Sequence, residues 1–383
     1  MNISGYCRPN FAAVQAQFES HFEQGQEAGA ALAIWYRGEL VVDCWGGTRD
    51  KPGDLPWTSN TLVNLFSTSK MISALAVQRV VDSGDLDLHR PIKDVWPEFS
   101  AEGKRDVTLA MCLNHRAGLP AIRESVADEA LFDWDYMCRR LAQERPWWQP
   151  GTEHGYHMVT FGWLVGETFR RTLGITLGHY LRDEVVVPLG LDMFLGGSDT
   201  EVEVADLLAV KAQPQQGRIH LFSRVLENRD GVTAKALTNP SSLMTSSNKP
   251  AWRQMELPSA NIHSNASSLA RLLGACLESD AVISRQALQR LMAEESAGPD
   301  PVLTTRTRFG PGVMLQQPGD AEASFGKVPV AFGHPGSGGA MAFADPESGV
   351  AFAYVMNQMG PYLLVDPRPR ALVDVFYDCL ATV

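Results

Sequence analysis

Ser67-Thr68-Ser69-Lys70-Met71-Ile72-Ser73-Ala74-Leu75-Ala76-Val77 is the stretch on which the reading of this chain turns. It puts a hydroxyl at the first turn of an apolar helix and an amine three residues further on. Residues i and i+3 share a helix face, so the Lys70 side chain can reach the Ser67 hydroxyl without help from tertiary structure. A helix N-terminus also offers unpaired backbone N–H groups and the positive end of the helix dipole, both suited to a developing oxyanion. The helical pattern runs to about Ser83 and stops at Gly84, a residue type that ends helices. Ser67 therefore has two readings: a helix cap, the commoner use of serine or threonine at such a position, or an acyl-accepting nucleophile.

The tetrapeptide pattern Ser-x-x-Lys occurs twice more. Ser246-Ser247-Asn248-Lys249 runs into Pro250, which pushes the preceding residue out of the helical region. Ser324-Phe325-Gly326-Lys327 contains a glycine and leads into the strand-like Val328-Pro329-Val330. Neither presents serine and lysine on one helical face.

Composition bounds the rest. The 383 residues are 45% hydrophobic and 9% aromatic, enough for a sizeable core. A formal charge of −11 without a basic cluster argues against nucleic acid and anionic membrane surfaces as partners. The first nine residues carry no charged-then-apolar export pattern, and no window approaches ~18 uninterrupted apolar residues, so no membrane span is expected. Cys7, Cys44, Cys112, Cys138, Cys276 and Cys379 are scattered, which suits free thiols in a reducing, cytoplasmic compartment. His154 and His157 are the closest histidine pair, with no third ligand nearby. No metal and no cofactor are expected, and the composition leaves the oligomeric state open.

Residues 11–26 read as an amphipathic helix, with Phe11, Val14, Phe18 and Phe22 on one face. Residues 30–36 and 40–45 are apolar runs joined by Arg37-Gly38-Glu39, a β-hairpin signature. The far end mirrors this: runs at 339–344 and 350–356 flank the turn Asp345-Pro346-Glu347-Ser348-Gly349, and 368–381 reads as a closing helix. Helices are also expected at 267–277 and 284–292, while 201–248 reads as polar and irregular. Strands at both ends and helices between them predict an α/β (α+β) architecture. An antiparallel sheet from the two termini would lie beside a helical lobe. The expected division is an α/β lobe of about 10–66 and 300–383 and a helical lobe of about 67–299, in one integrated unit.

A serine–lysine pair needs partners. A lysine at its ordinary pKa near 10.4 is almost wholly protonated at pH 7, so the chemistry requires desolvation or a second group to share the proton. Tyr156 is the candidate. The Pro150-Gly151 turn and Gly155 leave it on an exposed loop just before the helical run Phe161-Gly162-Trp163-Leu164-Val165. The alternative use of such a tyrosine is packing. An oxyanion hole needs a second backbone N–H opposite the nucleophile. His334-Pro335-Gly336-Ser337-Gly338-Gly339 would let the backbone approach a substrate closely, or serve as a structural turn.

Ser67-x-x-Lys70, Tyr156 after a Trp-x-Pro-Gly turn, and His334-x-Gly336 opening a late strand occur in this order. The combination resembles the serine β-lactamase and penicillin-binding-protein superfamily, and within it the class C-like family VIII carboxylesterases. Residues 113–120, Leu-Asn-His-Arg-Ala-Gly-Leu-Pro, are similar to the loop after the nucleophile helix, and residues 261–269 to the segment opening a later helix. The likeness covers roughly residues 10–380. It implies Ser67 as nucleophile, Lys70 and Tyr156 as a shared general base in which Tyr156 takes the serine proton, and the N–H groups of Ser67 and Ser337 as oxyanion hole. By the same likeness His334, Gly336 and Met158 would border the substrate.

Two departures bear on that substrate. Lactamases begin the strand motif with lysine, where this chain has His334, largely neutral at pH 7. Two residues after the tyrosine they carry an asparagine, where Met158 has no amide. Both changes remove groups suited to an anionic β-lactam and favour a small carboxylic ester with a short acyl chain. A β-lactamase, D-amino peptidase or acyltransferase using the same acyl-serine is the alternative. A non-catalytic binding protein of the same fold would be expected to have lost Ser67, Lys70 or Tyr156. No Gly-x-Ser-x-Gly sequence is present, which counts against the α/β-hydrolase route.

Overall fold

The computed structural model describes residues 3–197, 202–210, 220–320 and 322–382. Its strands are β1 (Ser4–Cys7), β2 (Gly29–Tyr36), β3 (Glu39–Gly47), β4 (Val63–Asn64), β5 (Met193–Leu195) and β6 (Ile262–Ser264). They continue with β7 (Ser296–Asp300), β8 (Thr305–Gly310), β9 (Val313–Leu315), β10 (Phe332–Pro335), β11 (Met341–Asp345) and β12 (Val350–Met356). Nine of them form one sheet in the order β1-β3-β2-β12-β11-β10-β9-β8-β7, and β4-β6-β5 form a second, smaller one. The two expected hairpins, β2–β3 and β11–β12, meet where β2 pairs antiparallel with β12, so the chain termini do build one sheet.

The alternation of small and large residues explains how both faces of that sheet are covered. Ala31, Ala33, Ala342, Ala344, Ala351 and Ala353 belong to one core cluster. Leu32, Ile34, Phe343, Phe352 and Tyr354 belong to the other, with Val14 and Phe18 of helix Ala12–Glu23 and Leu372 and Phe376 of helix Pro367–Leu380. On the alanine side, helix Ala266–Glu278 packs on β2 and β12. The approach is close, since a Cβ on Gly274 would stand 2.6 Å from the Trp35 ring. The helix placed by sequence in the helical lobe thus lies on the sheet. The sheet also takes in β1 and β7, which begin at Ser4 and Ser296, outside the segments expected of it.

Helix Thr68–Ser83 is buried from its first residue through Gln78 and ends on Gly84 at φ 84°. That left-handed cap is the conformation glycine adopts without a Cβ penalty. In the stretch expected to be irregular, residues 201 and 211–219 lie outside the described residues, but helices His220–Glu227 and Val232–Thr238 stand where loop was expected. At eight and seven residues each is too short to display the helical period over a full window. Among the described residues no helix is long and apolar enough to cross a membrane.

Candidate active site

Ser67 directly precedes helix Thr68–Ser83, yet its hydroxyl makes no capping hydrogen bond. The capping use of this serine is therefore ruled out, and Oγ is left for Lys70, whose Nζ lies 3.1 Å away. Phe66, immediately before it, adopts φ 46°, a left-handed conformation costly for an aromatic residue. The sharp turn is held by its surroundings: Leu65 N–H donates to Ile262 O at 2.9 Å, and Ile262 N–H donates to Ser69 Oγ at 3.1 Å.

Lys70 is fully buried, and no carboxylate pairs with it among the described residues. Its Nζ donates to the carbonyls of Met158 at 2.7 Å and Ser259 at 3.0 Å, and faces Ser67 Oγ with its third position. Carbonyls accept only, so these two take up two N–H groups. The remaining position is a third N–H in the ammonium and a lone pair in the neutral amine. Burial pulls the Lys70 pKa well below the ordinary lysine value, toward the state that aims a lone pair at the serine hydroxyl.

Tyr156 is not exposed, as its glycine-flanked loop suggested, but only 2% accessible. The loop is pinned from three sides. Tyr156 N–H donates to Asp300 Oδ2 at 2.9 Å, His157 N–H to His115 Nδ1 at 3.1 Å, and Gly155 N–H to the His115 carbonyl at 3.1 Å. His157 is no metal ligand here: its Nδ1 lies 2.7 Å from Gly155 O, and its Nε2 accepts from Leu119 N–H at 2.9 Å. The Tyr156 ring face lies 4.8 Å from Lys70 Nζ, and Ser67 is among the groups that act on its hydroxyl. Burial raises the phenol well above its usual pKa, against the opposing hydrogen bond from Ser67, so Tyr156 rests protonated.

His334 is turned inward, at 1% exposure. Its Nδ1 lies 2.7 Å from the Pro335 carbonyl, which can only accept, so Nδ1 carries the proton and Nε2 a lone pair. That lone pair faces the Tyr156 hydroxyl across a long 3.4 Å. Burial is the main cause that pushes His334 down to about 3, and Lys70 adds to it only when protonated. A neutral acceptor beside the phenol favours its protonated form, where a lysine would favour the phenolate.

Gly336 brings β10 against the serine. A Cβ there would lie 2.3 Å from Leu65 O, and Thr68 Oγ1 donates to the His334 carbonyl at 3.1 Å. The backbone N–H groups of Ser67 and Ser337 make no hydrogen bond among the described residues, and Ser337 is partly exposed. Of the three residues expected to border substrate, His334 and Gly336 are buried and Met158 is partly exposed. A cavity of about 280 Å³ lined by Trp134, Trp163, Met255 and Pro258 contains none of Ser67, Lys70 or Tyr156.

The two other Ser-x-x-Lys sequences are separated from any such arrangement. Lys249 is extended before Pro250, at ψ 143°, and Lys327 is paired with Asp378 at 2.6 Å. Sequence reasoning missed Asp300, Ser259 and the His115 side chain. Asp300 and Ser259 act on the site from remote segments with no local pattern to betray them, whereas His115 stands in the family-like 113–120 stretch, which gave its side chain no role.

Comparison with known proteins identifies the family and the fold. The Beta-lactamase family model matches residues 14–375. The esterase/beta-lactamase LipL of Mycobacterium tuberculosis is 30% identical over 369 residues, 95% of this chain and 85% of that protein. A penicillin-binding-protein homologue from Caulobacter crescentus superposes with a TM-score of 0.89 at 40% identity, covering 99% of this chain and 100% of the other. A family VIII carboxylesterase superposes with a TM-score of 0.89 at 35% identity, over the same shares. With the fold and the match both spanning nearly its whole length, the chain belongs to the serine β-lactamase and penicillin-binding-protein superfamily, whose members of this kind are serine hydrolases.

Proposed function

We propose that the protein is a carboxylesterase that hydrolyses small esters with short acyl chains through an acyl-Ser67 intermediate. The observation that carries this reading is the uncapped Ser67 hydroxyl 3.1 Å from a buried amine whose other two positions are filled by carbonyls. Lys70, rather than Tyr156, is then the base for the serine proton.

In acylation the Lys70 lone pair takes the Ser67 proton as Oγ bonds to the ester carbon. The N–H groups of Ser67 and Ser337 receive the oxyanion. The C–O bond to the alcohol breaks, and the leaving alkoxide takes the Tyr156 proton. The resulting phenolate lies beside the Lys70 ammonium. In deacylation water attacks the acyl carbon and gives a proton to that phenolate. The Ser67 alkoxide leaves and recovers its proton from Lys70, so each group returns to its starting state.

Preference for esters is supported by the neutral His334 and the amide-free Met158, which offer no fixed charge or side-chain amide to a β-lactam. An alkoxide is also a better leaving group than an amine anion. The names of the similar proteins, a family VIII carboxylesterase and an esterase/beta-lactamase, point the same way. The second of these names makes β-lactam hydrolysis the side activity to test. Fluorophosphonate labelling with peptide mapping is expected to mark Ser67 stoichiometrically, with p-nitrophenyl butyrate turned over faster than a cephalosporin. Labelling elsewhere, or full activity in Ser67→Ala, would remove the assignment.

A further inference from the structure

Arg368 lies in the first turn of helix Pro367–Leu380 and is only 7% exposed. Its guanidinium is fully engaged. Asp366 holds it two-pronged, Nε to Oδ1 at 3.1 Å and Nη2 to Oδ2 at 2.8 Å. Nη1 donates to Glu27 Oε2 at 2.9 Å and to the carbonyls of Gln358 at 3.0 Å and Gln26 at 3.3 Å. The Tyr354 hydroxyl donates to the other oxygen of Glu27. Such a two-carboxylate anchor fixes a planar fork far more tightly than a single ion pair.

The remaining Nη2 proton goes to a backbone group, Gly338 O, at 2.7 Å. That carbonyl shares its peptide with the N–H of Gly339, which donates to Gly336 O at 3.1 Å. The Gly336 carbonyl in turn shares its peptide with the N–H of Ser337. Two peptide units therefore line up between the guanidinium and the Ser337 N–H, each with its oxygen toward Arg368 and its hydrogen toward the site. Gly338 is also held by its own N–H, which donates to Tyr362 O at 2.9 Å, and by Gly360 N–H, which donates to Gly338 O at 2.8 Å. The glycines are required: Gly338 and Gly339 have φ of 85° and 132°, and a Cβ on Gly339 would lie 2.6 Å from Arg368 Nη2.

We propose that Arg368, anchored by Glu27 and Asp366, is the positioning residue that orients and polarises the Ser337 N–H through this two-peptide relay. The inference rests on the reading of Ser67 as nucleophile and Ser337 N–H as oxyanion donor. A donor fixed in direction stabilises the tetrahedral state without reorganising, and hydrogen bonds in a chain strengthen one another. Substrate binding does not need this donor in the same geometry, so the effect falls on the chemical step.

The test is Arg368→Lys, which keeps a cation but cannot span Asp366, Glu27 and Gly338 together. Deleting a whole oxyanion donor costs about 10²–10³ in kcat, so misplacing one is expected to lower kcat on p-nitrophenyl butyrate by about tenfold to hundredfold. KM is expected to stay within about threefold, and the affinity of an alkylboronic acid, whose serine adduct is tetrahedral, to fall by the same factor as kcat. Glu27→Gln, which weakens the anchor only, is expected to give a smaller loss of the same kind and decides the matter if Arg368→Lys does not fold. A folded variant with a lower melting temperature but unchanged kcat and boronate affinity overturns the proposal. Fluorophosphonate labelling of the wild-type enzyme separates the two levels: no labelling of Ser67 removes the underlying reading, whereas intact labelling with unaffected variants removes only the relay.

Discussion

Gly336→Ala tests whether the close approach of β10 to the nucleophile turn sets the catalytic geometry. The φ of Gly336 is unexceptional, so any cost arises from contact and not from backbone strain. An added Cβ would lie 2.3 Å from Leu65 O, 3.1 Å from Ala340 Cβ and 3.2 Å from Thr68 Oγ1. Carbon and oxygen need roughly 3.3 Å, so the strand and the serine turn must part by about 1 Å. Leu65 cannot yield easily, because its N–H is held by Ile262 O and the adjacent Phe66 is already at φ 46°. The displacement therefore falls on β10 and stretches the Thr68–His334 hydrogen bond. Overpacking of this kind destabilises by about 1–3 kcal/mol. A shift of about 1 Å in an aligned group costs on the order of 10² in rate. Steady-state kinetics on p-nitrophenyl butyrate should show kcat lowered by about 10² with KM little changed, alongside a modest fall in melting temperature. Fluorophosphonate labelling of Ser67 should be slowed by a similar factor but still go to completion. A variant that folds and keeps kcat within twofold refutes the argument, since the clash would then be absorbed without moving the oxyanion donors.

Lys70→Met removes the base while filling much of the same volume, and kcat is expected to fall by about 10³ with circular dichroism unchanged. A loss of less than tenfold would return the base role to Tyr156. Asp300→Asn takes the carboxylate from the N–H groups of Tyr156, Val302 and Leu303 and from the Thr307 hydroxyl. About 2–4 kcal/mol of stability should be lost in urea unfolding, with a lower kcat as the Tyr156 loop loosens; an unchanged midpoint would contradict this. Acid should destabilise the fold. Burial pushes His157, His263 and His334 down to about 3 and holds His115 well below its ordinary value, whereas the unfolded chain titrates its histidines near 6.5. A depressed folded pKa gives stability that is present above pH 6.5 and lost as pH falls toward 3. Asp300 and Glu27, pushed up to about 6 and about 7 by burial, bind protons earlier when folded and oppose the trend. With His21 also lowered, to about 4, the lowered histidines outnumber the two raised carboxyls, so stability is expected to fall as pH drops from 7 to 5. A melting temperature that stays level between pH 7 and 5 would refute the sign.

What could be read before folding is what short-range geometry dictates. Three residues of a helix put Lys70 beside Ser67 in any protein, and Gly84 ends that helix because it alone turns left-handed without penalty. The hairpins at either end follow from apolar runs around glycine- and proline-bearing turns. Tertiary structure decided the rest. The glycines around Tyr156 suggested exposure, yet Asp300 and His115, 144 and 42 residues away along the hydrogen bonds that end on the 156–157 backbone, draw the loop inside. That burial, with the inward lone pair of His334, favours the protonated phenol, which is why the proposed mechanism uses Lys70 as the base. The same holds for Arg368, whose path to Ser337 passes through backbone groups that no residue pattern can announce. A local pattern fixes which side chains share a helix face. The protonation state and direction of a catalytic group depend on what surrounds it in space, and here those surroundings come from segments far apart along the chain.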